Sequence, residues 1–394
     1  MLALRVAFAN LVGAGLRTWL NVLALSFSYV VIIFYNGLIE GWNQQARRET
    51  IAWEVGAGQY WQESYDPYDP FTLVHAHAPL PPALARGATS GSLSPVLIVQ
   101  GTIYPGGRMQ SALLRGIDPA QRVVALPTAV LDTACEGDAL PVLIGRRMAG
   151  SAGLALHDVV LVRWRDRNGA FDACEALVAG IFDVDVPSVD VGQIWVPLER
   201  LRAMTGLEDE ATLVVAAPDA AVQLAAAPAG WHFKTADMLL QDLTDIIEAK
   251  RIGSAVMYSI LLLMALLALF DTQVLSIFRR QREIGTYVAL GMTRWQVVGL
   301  FTLEGGAHSI LAAFAGAIYG VPLLWYLATV GFGVGGSFEN TGIAGAARIY
   351  PAFSAGLVGA TIVLIFVAAT IVSFLPARRI AHMQPTDALR GRMR

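Results

Sequence analysis

Three ionisable residues lie inside or beside long apolar stretches of the chain, namely Asp271, Glu304 and His308. Carboxylates and imidazoles placed within a membrane can relay protons or bind ions, and ion-driven carriers use such groups near the middle of the bilayer. These three residues lie nearer to one end of their stretches and close to several arginines. Pairing with an arginine or with a helix end is therefore favoured over a proton relay.

Other kinds of chemistry find little support in the residue pattern. A phosphate-binding Walker loop ends in Gly-Lys-Ser or Gly-Lys-Thr, yet the chain has only two lysines, Lys234 and Lys250, and neither follows a glycine. There is no nucleophile elbow and no zinc-protease helix. His75 and His77 could bind a metal, but no further ligands accompany them, so a solvated loop is favoured. We therefore expect no catalytic residue, no metal site and no ATP hydrolysis by this chain.

The elements that must position these residues are four apolar runs. Hydrophobic residues make up 55% of the chain and charged residues only 15%, whereas an ordinary soluble domain has about 25% charged residues. Each run reaches the roughly 20 residues that a helix needs to cross a bilayer. The four runs are residues 19–39, 252–277, 297–327 and 353–375. The sequence therefore predicts an α-helical membrane protein with four transmembrane helices.

The distribution of charge predicts the orientation. Residues 1–18, 278–295 and 376–394 are rich in arginine, whereas residues 42–250 contain 25 acidic and 15 basic residues. Positive charge stays on the cytoplasmic side of a membrane. We therefore expect both termini to be cytoplasmic and the acidic segment to be an extracytoplasmic domain.

Residues 42–250 carry the patterns of a folded, mixed α/β domain. Alternating or β-branched runs predict strands at residues 94–104, 158–164, 173–182 and 212–216, and helices are predicted at residues 145–153 and 197–204. Residues 40–53 and 235–250 should extend the first two spans as helical stalks. The domain holds both cysteines, Cys135 and Cys174, whose spacing is compatible with a disulfide or with two separate thiols. The predicted division is residues 1–41, with an amphipathic helix and the first span, residues 42–250, and residues 251–394.

The most informative segment is residues 278–305, which reads FRRQREIGTYVALGMTRWQVVGLFTLEG. It predicts a short amphipathic helix that leaves the second span at Arg279, turns at Gly291 and re-enters the membrane after Trp295. An apolar face of Ile284, Tyr287, Val288 and Leu290 lies beside a cluster of arginines. An apolar face of this kind is typical of a surface that binds a protein partner or the lipid headgroups.

This segment resembles the coupling region of the FtsX/MacB/LolCE permease family, which carries R-x-R-E-I-G followed by A-L-G-x-[ST]. The matching residues are Arg280, Arg282, Glu283, Ile284, Gly285, Ala289, Leu290, Gly291, Met292 and Thr293. The end of the chain, PARRIAHMQPTDALRGR, resembles the closing signature of the same family. Residues 114–119 (LRGIDP) and 143–154 (LIGRRMAGSAGL) resemble segments of its MacB-like periplasmic core domain.

The resemblance implies a permease of the bacterial inner membrane that works as a dimer, with itself or with a related chain. It also implies a cytoplasmic ABC ATPase dimer that binds the ATP and Mg. It implies no cofactor on this chain and no nucleic-acid partner. The residues expected to couple to the ATPase are Arg280, Arg282, Glu283, Ile284, Gly285, Leu290, Gly291, Met292 and Thr293. Cargo is expected at the outer ends of the first two spans, for which the candidates are Tyr35, Trp42, Met257 and Tyr258. Aromatic residues of the interface belt would give the same pattern.

Three functions stay open. The size of the chain and its lack of a Walker loop resemble the LolC and LolE lipoprotein-release subunits, which implies extraction or export of a lipoprotein or another amphiphile, passed to a periplasmic acceptor. An FtsX-like transmitter of mechanical force, which regulates a periplasmic cell-wall hydrolase, would use the same elements. A membrane-tethered sensor or scaffold is also possible in principle, but it would leave the match at residues 280–293 unexplained.

Overall fold

The computed structural model describes residues 15–132, 139–184, 186–217, 227–333 and 348–379. They form two compact units. The membrane unit contains residues 15–43, 246–333 and 348–379, and the α/β domain contains residues 44–132, 139–184, 186–217 and 227–245.

Four helices are long and apolar enough to cross a membrane, which confirms the predicted number of spans. They are α1 (Gly15–Thr50), α7 (Gln241–Arg279), α9 (Arg294–Val330) and α10 (Ala355–Ala377), and the short helix α8 (Gln281–Ala289) lies between α7 and α9. The strands β12 (Phe332–Gly333) and β13 (Arg348–Ile349) pair with each other in the connection between α9 and α10. The amphipathic helix predicted at the N-terminus lies almost wholly outside the described residues.

Small residues let the helices of the membrane unit approach closely. A Cβ on Gly316 of α9 would lie 3.2 Å from the Ser26 carbonyl of α1, and one on Gly320 would lie 2.6 Å from Val30 Cγ2. Gly305, on another face of α9, lies against Ser373 of α10. Close packing of this kind is the main source of attraction between helices in lipid, where the hydrophobic effect between them is absent.

Polar side chains add hydrogen bonds between the same helices. Tyr29 on α1 bonds the Ser309 hydroxyl on α9 at 2.6 Å. Asn21 on α1 donates to Thr272 Oγ1 on α7 at 2.5 Å. Within the membrane these bonds satisfy groups that water cannot reach.

The α/β domain is built on a nine-stranded sheet. The strands are β1 (Gly58–Gln62), β3 (Leu93–Ile103), β4 (Gln110–Ile117), β5 (Leu140–Gly145), β6 (Val159–Arg165), β7 (Phe171–Phe182), β8 (Gln193–Pro197), β10 (Leu213–Ala216) and β11 (Trp231–Thr235). Their order across the sheet is β11-β1-β10-β3-β4-β8-β5-β7-β6. A further pairing of β3 with β6, in which Thr102 lies opposite Arg163, closes six of the strands into a ring. The pairs β4–β8 and β5–β7 are parallel and the other pairs are antiparallel.

Five short α-helices, three 3₁₀ turns (Pro70–Val74, Pro105–Gly107 and Thr128–Asp132) and a second small sheet complete the described part of the domain. The helices are α2 (Pro82–Thr89), α3 (Arg146–Ala152), α4 (Pro187–Asp190), α5 (Leu198–Thr205) and α6 (Ala236–Leu239), and the small sheet pairs β2 (Ala78–Pro79) with β9 (Glu210–Ala211). One buried cluster joins the sheet to Met148 of α3 and to Leu198 and Leu201 of α5. The strands and helices predicted in this domain are confirmed.

The two predicted stalks differ in the structure. Helix α1 continues without a break to Thr50 and then widens into a π-helical turn, Ile51–Val55. We expected the second stalk to be one continuous helix from residue 235. The structure instead divides it into two helices. The Thr235 hydroxyl accepts a hydrogen bond from the Met238 amide and caps the four-residue helix α6, the chain turns at the buried Leu240, and α7 begins at Gln241.

Candidate functional site

Helix α8 is set at an angle to its neighbours by a turn at each end. Helix α7 ends at Arg279, and Arg280 has φ −99° and ψ 21°, outside the helical range, before α8 begins. After α8, Gly291 has φ +101°, a conformation that side-chain-bearing residues rarely adopt. Thr293 then starts α9 with a capping box, in which its hydroxyl accepts from the Gln296 amide and the Gln296 side chain accepts from the Thr293 amide.

An ion pair connects the start of α8 to α9. Arg280 Nη1 donates to both carboxylate oxygens of Glu304, at 3.1 and 2.9 Å. Arg280 Nε donates to Glu283 at 2.7 Å, and its guanidinium lies 4.9 Å from the centre of the Phe301 ring. Glu304 is almost wholly buried. A buried carboxylate is costly unless it is paired, so Arg280 and Glu304 stabilise each other only in this arrangement of the helices.

The apolar face of α8 packs within its own chain. Ile284 is 2% exposed and lies in a cluster with Ile277, Val297, Val298, Phe301 and Ala377, against which Tyr287, Val288 and Met292 also pack. Gly285 is buried beside Ile284. The ends of α7, α9 and α10 cover Ile284 and Gly285, so neither residue is open to a partner in this structure, and their role in coupling stays a prediction.

The opposite face of α8 and the turn after it are exposed. Leu290 is 79% exposed and Trp295 is 63% exposed. The other exposed residues of this surface are Arg282, Glu283, Thr286, Gly291 and Thr293. We call this set the α8 surface. It combines two large apolar side chains with charges of both signs. Trp295 was not among the predicted coupling residues, and its position directly after an arginine at a helix start was the only sign of it in the sequence.

The three ionisable residues of the apolar stretches do not form one group. His308 Nδ1 lies 2.8 Å from the Glu304 carbonyl, and both residues are buried. Asp271 instead lies exposed on α7. The favoured interpretation is confirmed for Glu304, which pairs with an arginine.

The four candidate cargo residues have different surroundings. Trp42 is buried, and the Lys250 ammonium lies 4.5 Å from the centre of its ring. Tyr258 packs against the cluster that α1, α7, α9 and α10 share, and Tyr35 is half-buried. Met257 is 59% exposed. Of the four, only Met257 presents most of its side chain in this conformation.

Metal binding has no geometric support in the described part of the chain. His77 contacts the Glu210 carboxylate through Nδ1 and the Val74 carbonyl through Nε2, at 3.1 Å for the latter. Among the described residues, no group of three or more His, Cys, Asp or Glu side chains could hold a metal ion. Cys135 lies outside the described residues, so both alternatives for Cys135 and Cys174, a disulfide or two separate thiols, stay open.

One known family matches the part of the chain that contains this site. Residues 255–385, which contain α8 and both members of the Arg280–Glu304 pair, match the FtsX-like permease C-terminal family. The chain is 25% identical over 311 residues to the lipoprotein-releasing system transmembrane protein LolC of Xylella fastidiosa, a match that covers 73% of this chain and 75% of that protein.

Two further relatives match shorter parts. An uncharacterized ABC transporter permease of Methanocaldococcus jannaschii is 24% identical over 157 residues, which is 40% of this chain and 37% of that protein. The macrolide export ATP-binding/permease protein MacB of a Shewanella species is 29% identical over 127 residues, which is 31% of this chain and 16% of that protein. Residues 255–385 therefore match an FtsX-like permease C-terminal domain, and the chain is similar to the lipoprotein-releasing system protein LolC and to the macrolide export permease MacB.

Proposed function

We propose that this protein is the permease subunit of a bacterial ABC transporter and that the α8 surface docks on a separate cytoplasmic ATPase. The arginine-rich segments around α8 and at the C-terminus support a cytoplasmic position for α8 and for both termini. The acidic α/β domain would then be a periplasmic domain of the MacB type. ATP and Mg would be bound by the partner, since this chain has no Walker loop.

The observation that carries this proposal is the two-sided environment of α8. One side is fixed to the membrane unit by the Arg280–Glu304 pair and by Ile284. The other side exposes Leu290, which a protein partner would cover. A helix that is rigidly held on one side and exposed on the other can pass a partner's movement to the spans that hold it.

A second permease chain is part of the proposal. Helix α7 exposes a series of apolar side chains along its length. They are Val256, Met257, Ile260, Leu263, Met264 and Leu267. Lipid or a second permease would cover this face. The second permease could be an identical or a related chain.

For the cargo we propose a lipoprotein or another amphiphile, handled from the periplasmic side. The support is the similarity to LolC, which extends over 73% of this chain and therefore reaches beyond residues 255–385 into the α/β domain. Met257 and its exposed neighbours on α7 offer an apolar surface that acyl chains could contact.

The continuous helix α1 favours one alternative function. Its 36 residues run from the apolar stretch to Thr50 without a break, and the π-helical turn that follows is buried in the α/β domain at Val55. A stiff helix can carry force to a periplasmic partner, as a regulator of a cell-wall hydrolase would require. A purified complex that contains a hydrolase and releases no amphiphile would favour this alternative.

The first test is to purify the C-terminally tagged chain from its native membrane in a mild detergent and to assay the copurifying ATPase. We expect a stoichiometric subunit with a Walker motif. Glu283→Arg and Leu290→Asp should each reduce its recovery about tenfold, because each places a wrong charge on the α8 surface.

The matched control is Arg379→Glu, which changes an exposed charge at the end of α10 and leaves the α8 surface intact. It should retain the ATPase. A chain that purifies alone in several detergents would refute the proposed docking. Equal recovery of the ATPase with Glu283→Arg and with the wild type would refute the assigned surface.

A further inference from the structure

A cavity of about 550 Å³ in the α/β domain has three arginine side chains in its wall. It lies between the end of the 3₁₀ turn Pro70–Val74, the strands β3 and β6, and the turn that joins β6 to β7. All of these elements belong to the same compact unit. The volume lies within the range of cavities that bind small organic molecules.

The three arginines are Arg163 and Arg165 on β6 and Arg167 in the turn after it. Arg163 and Arg165 lie two residues apart on one strand, so both side chains leave the same face of the sheet. Arg165 and Arg167 are exposed, and Arg163 is half-buried. A ligand in the cavity can therefore reach these side chains without a change in the fold.

Backbone carbonyls hold two of the arginines in place. Arg165 Nε donates to the Gly169 carbonyl at 3.1 Å. Arg167 Nη1 donates to the Gly206 carbonyl at 3.0 Å. Each of these bonds uses one of the five donor hydrogens of a guanidinium. The side chains are therefore oriented before a ligand binds, which lowers the entropy cost of binding, and most of their donors stay available.

Two aromatic residues orient the third arginine. Arg163 Nη1 donates to the Tyr104 hydroxyl at 3.3 Å, and the guanidinium lies 4.4 Å from the centre of the Phe171 ring. Phe171 is 65% exposed and Val74 is 53% exposed, and both line the cavity. The wall therefore joins a positive region to an apolar one.

The positive charge of this wall is not balanced by ion pairs. In the part of the chain that the structure describes, none of the three arginines forms one. Asp166 is the one acidic residue of the described wall, and it accepts hydrogen bonds from the Asn168 and Ala170 amides at 2.9 and 2.7 Å. Like charges repel each other, and residues 42–250 as a whole are acidic. Three guanidinium groups in the wall of one cavity of such a domain indicate a site for an anion.

We propose that this cavity binds a phosphate ester, with the phosphoryl oxygens held by Arg163, Arg165 and Arg167. The remainder of the ligand would lie against Phe171 and Val74. Arginine binds phosphate and carboxylate groups with paired hydrogen bonds. A phosphate ester offers three acceptor oxygens and up to two negative charges, whereas a carboxylate offers two oxygens and one charge, so a phosphate matches three arginines better. The source is either a lipid with a phosphate headgroup or a soluble phosphate ester, and the test distinguishes the two.

The test is calorimetric titration of the full-length chain in a neutral detergent with four probes. The first is dihexanoyl phosphatidic acid below its micellar concentration, and the second is glycerophosphate, which is the same headgroup without acyl chains. The third is dihexanoyl glycerol, which lacks the phosphate, and the fourth is succinate, a dianion without phosphorus. Arg165→Gln and Arg167→Gln should each weaken the binding of the phosphate probe about tenfold, the equivalent of about 1.4 kcal/mol. Both side chains are exposed, so the fold should tolerate the changes.

The matched control is Arg86→Gln on α2. Arg86 is also exposed, and its Nε donates to the Pro82 carbonyl at 3.2 Å, as Arg165 Nε does to the Gly169 carbonyl. Arg86 lies outside the wall of the cavity. This variant should therefore bind the phosphate probe as the wild type does.

Binding of phosphatidic acid alone, weakened in both variants, would assign the site to a lipid headgroup. Binding of glycerophosphate as well, weakened in both variants, would assign it to a soluble phosphate ester. Absence of binding by both phosphate probes would overturn the proposal. Equal affinities for succinate and the phosphate probes would also overturn it, and so would equal affinities in the wild type and both variants. The titration requires no ATPase, so its failure would leave the proposed permease function intact.

Discussion

Asp190 lies directly over Gly145, so closely that a Cβ at position 145 would overlap its carboxylate. From there Asp190 Oδ1 accepts hydrogen bonds from the amides of Arg147 at 3.0 Å and Met148 at 3.4 Å. Its Oδ2 lies 3.3 Å from Arg147 Nη1. Helix α3 has no cap from its own N-cap residue, Gly145, and Asp190 of α4 takes that place. The cap of α3 therefore depends on both residues, because only a glycine at position 145 leaves room for the Asp190 carboxylate.

The first prediction is that Gly145→Ala destabilises the α/β domain by about 2 kcal/mol or more, since the new Cβ must displace a capping carboxylate. Asp190→Ala should remove the part of that penalty that comes from the carboxylate, although the Asp190 Cα would still lie 2.8 Å from the new Cβ, so the double variant should be more stable than additivity predicts. Chemical unfolding of the full-length chain, followed by tryptophan fluorescence, measures the stability of the wild type, of each single variant and of the double variant. Gly150→Ala is the control, because nothing lies within 4 Å of its new Cβ. Additive effects would contradict the coupling.

The second prediction concerns pH. Burial raises the pKa of Asp190 above its usual value, against the opposing effect of its bonds to the Arg147 and Met148 amides. Because the folded pKa is the higher one, the stability from this group is complete below its unfolded pKa, about 3.9. It is lost as the pH rises through the folded pKa. Asp190→Asn cannot titrate, so the stability of the wild type minus that of the variant should fall as the pH rises from about 4. A difference that grows with pH would contradict the raised pKa.

The third prediction tests the pair that holds α8. Glu304→Gln leaves Arg280 half-buried without its main counter-charge and should lower stability by about 3 kcal/mol. Glu283→Gln is the control, since Glu283 contacts the same arginine but is more than half exposed, and exposed pairs contribute about 1 kcal/mol or less. Arg280→Gln with Glu304→Gln should recover part of the loss. Thermal unfolding in detergent provides the measurement, and equal losses from both glutamate variants would contradict the assignment.

Some features could be predicted because they are local in the sequence. A run of about 20 apolar residues specifies a span, and alternation over a few residues specifies strands such as β6 and β7. Closure of the ring by β3 and β6 could not be predicted, because it depends on a register between Thr102 and Arg163, which are far apart in the chain. The same holds for Asp190 as the cap of α3.

The outcome at α8 shows a different limit. The sequence specifies that Ile284 lies on an apolar face, but the periodicity is the same whether that face is covered by a partner or by the chain itself. The positions of Val297, Phe301 and Ala377 show that the chain itself covers this face. The exposed Leu290 could not be told from the buried Ile284 by residue type.

The last prediction concerns the segment before α10. Gly41 of α1 lies against the Tyr350 carbonyl so closely that a Cβ would overlap it, and one turn earlier the Gly37 carbonyl accepts a hydrogen bond from the Ala352 amide at 2.8 Å. Gly41→Ala should push this segment off α1 and break the Gly37 bond, which should lower the Tm in detergent by several degrees. Gly253→Ala on α7 meets nothing within 4 Å and is the control. Glycine in a helix costs roughly 0.5–1 kcal/mol relative to alanine, so the control should be neutral or stabilising. A Gly41→Ala variant as stable as the control would show that the segment packs on α1 less closely than the structure has it.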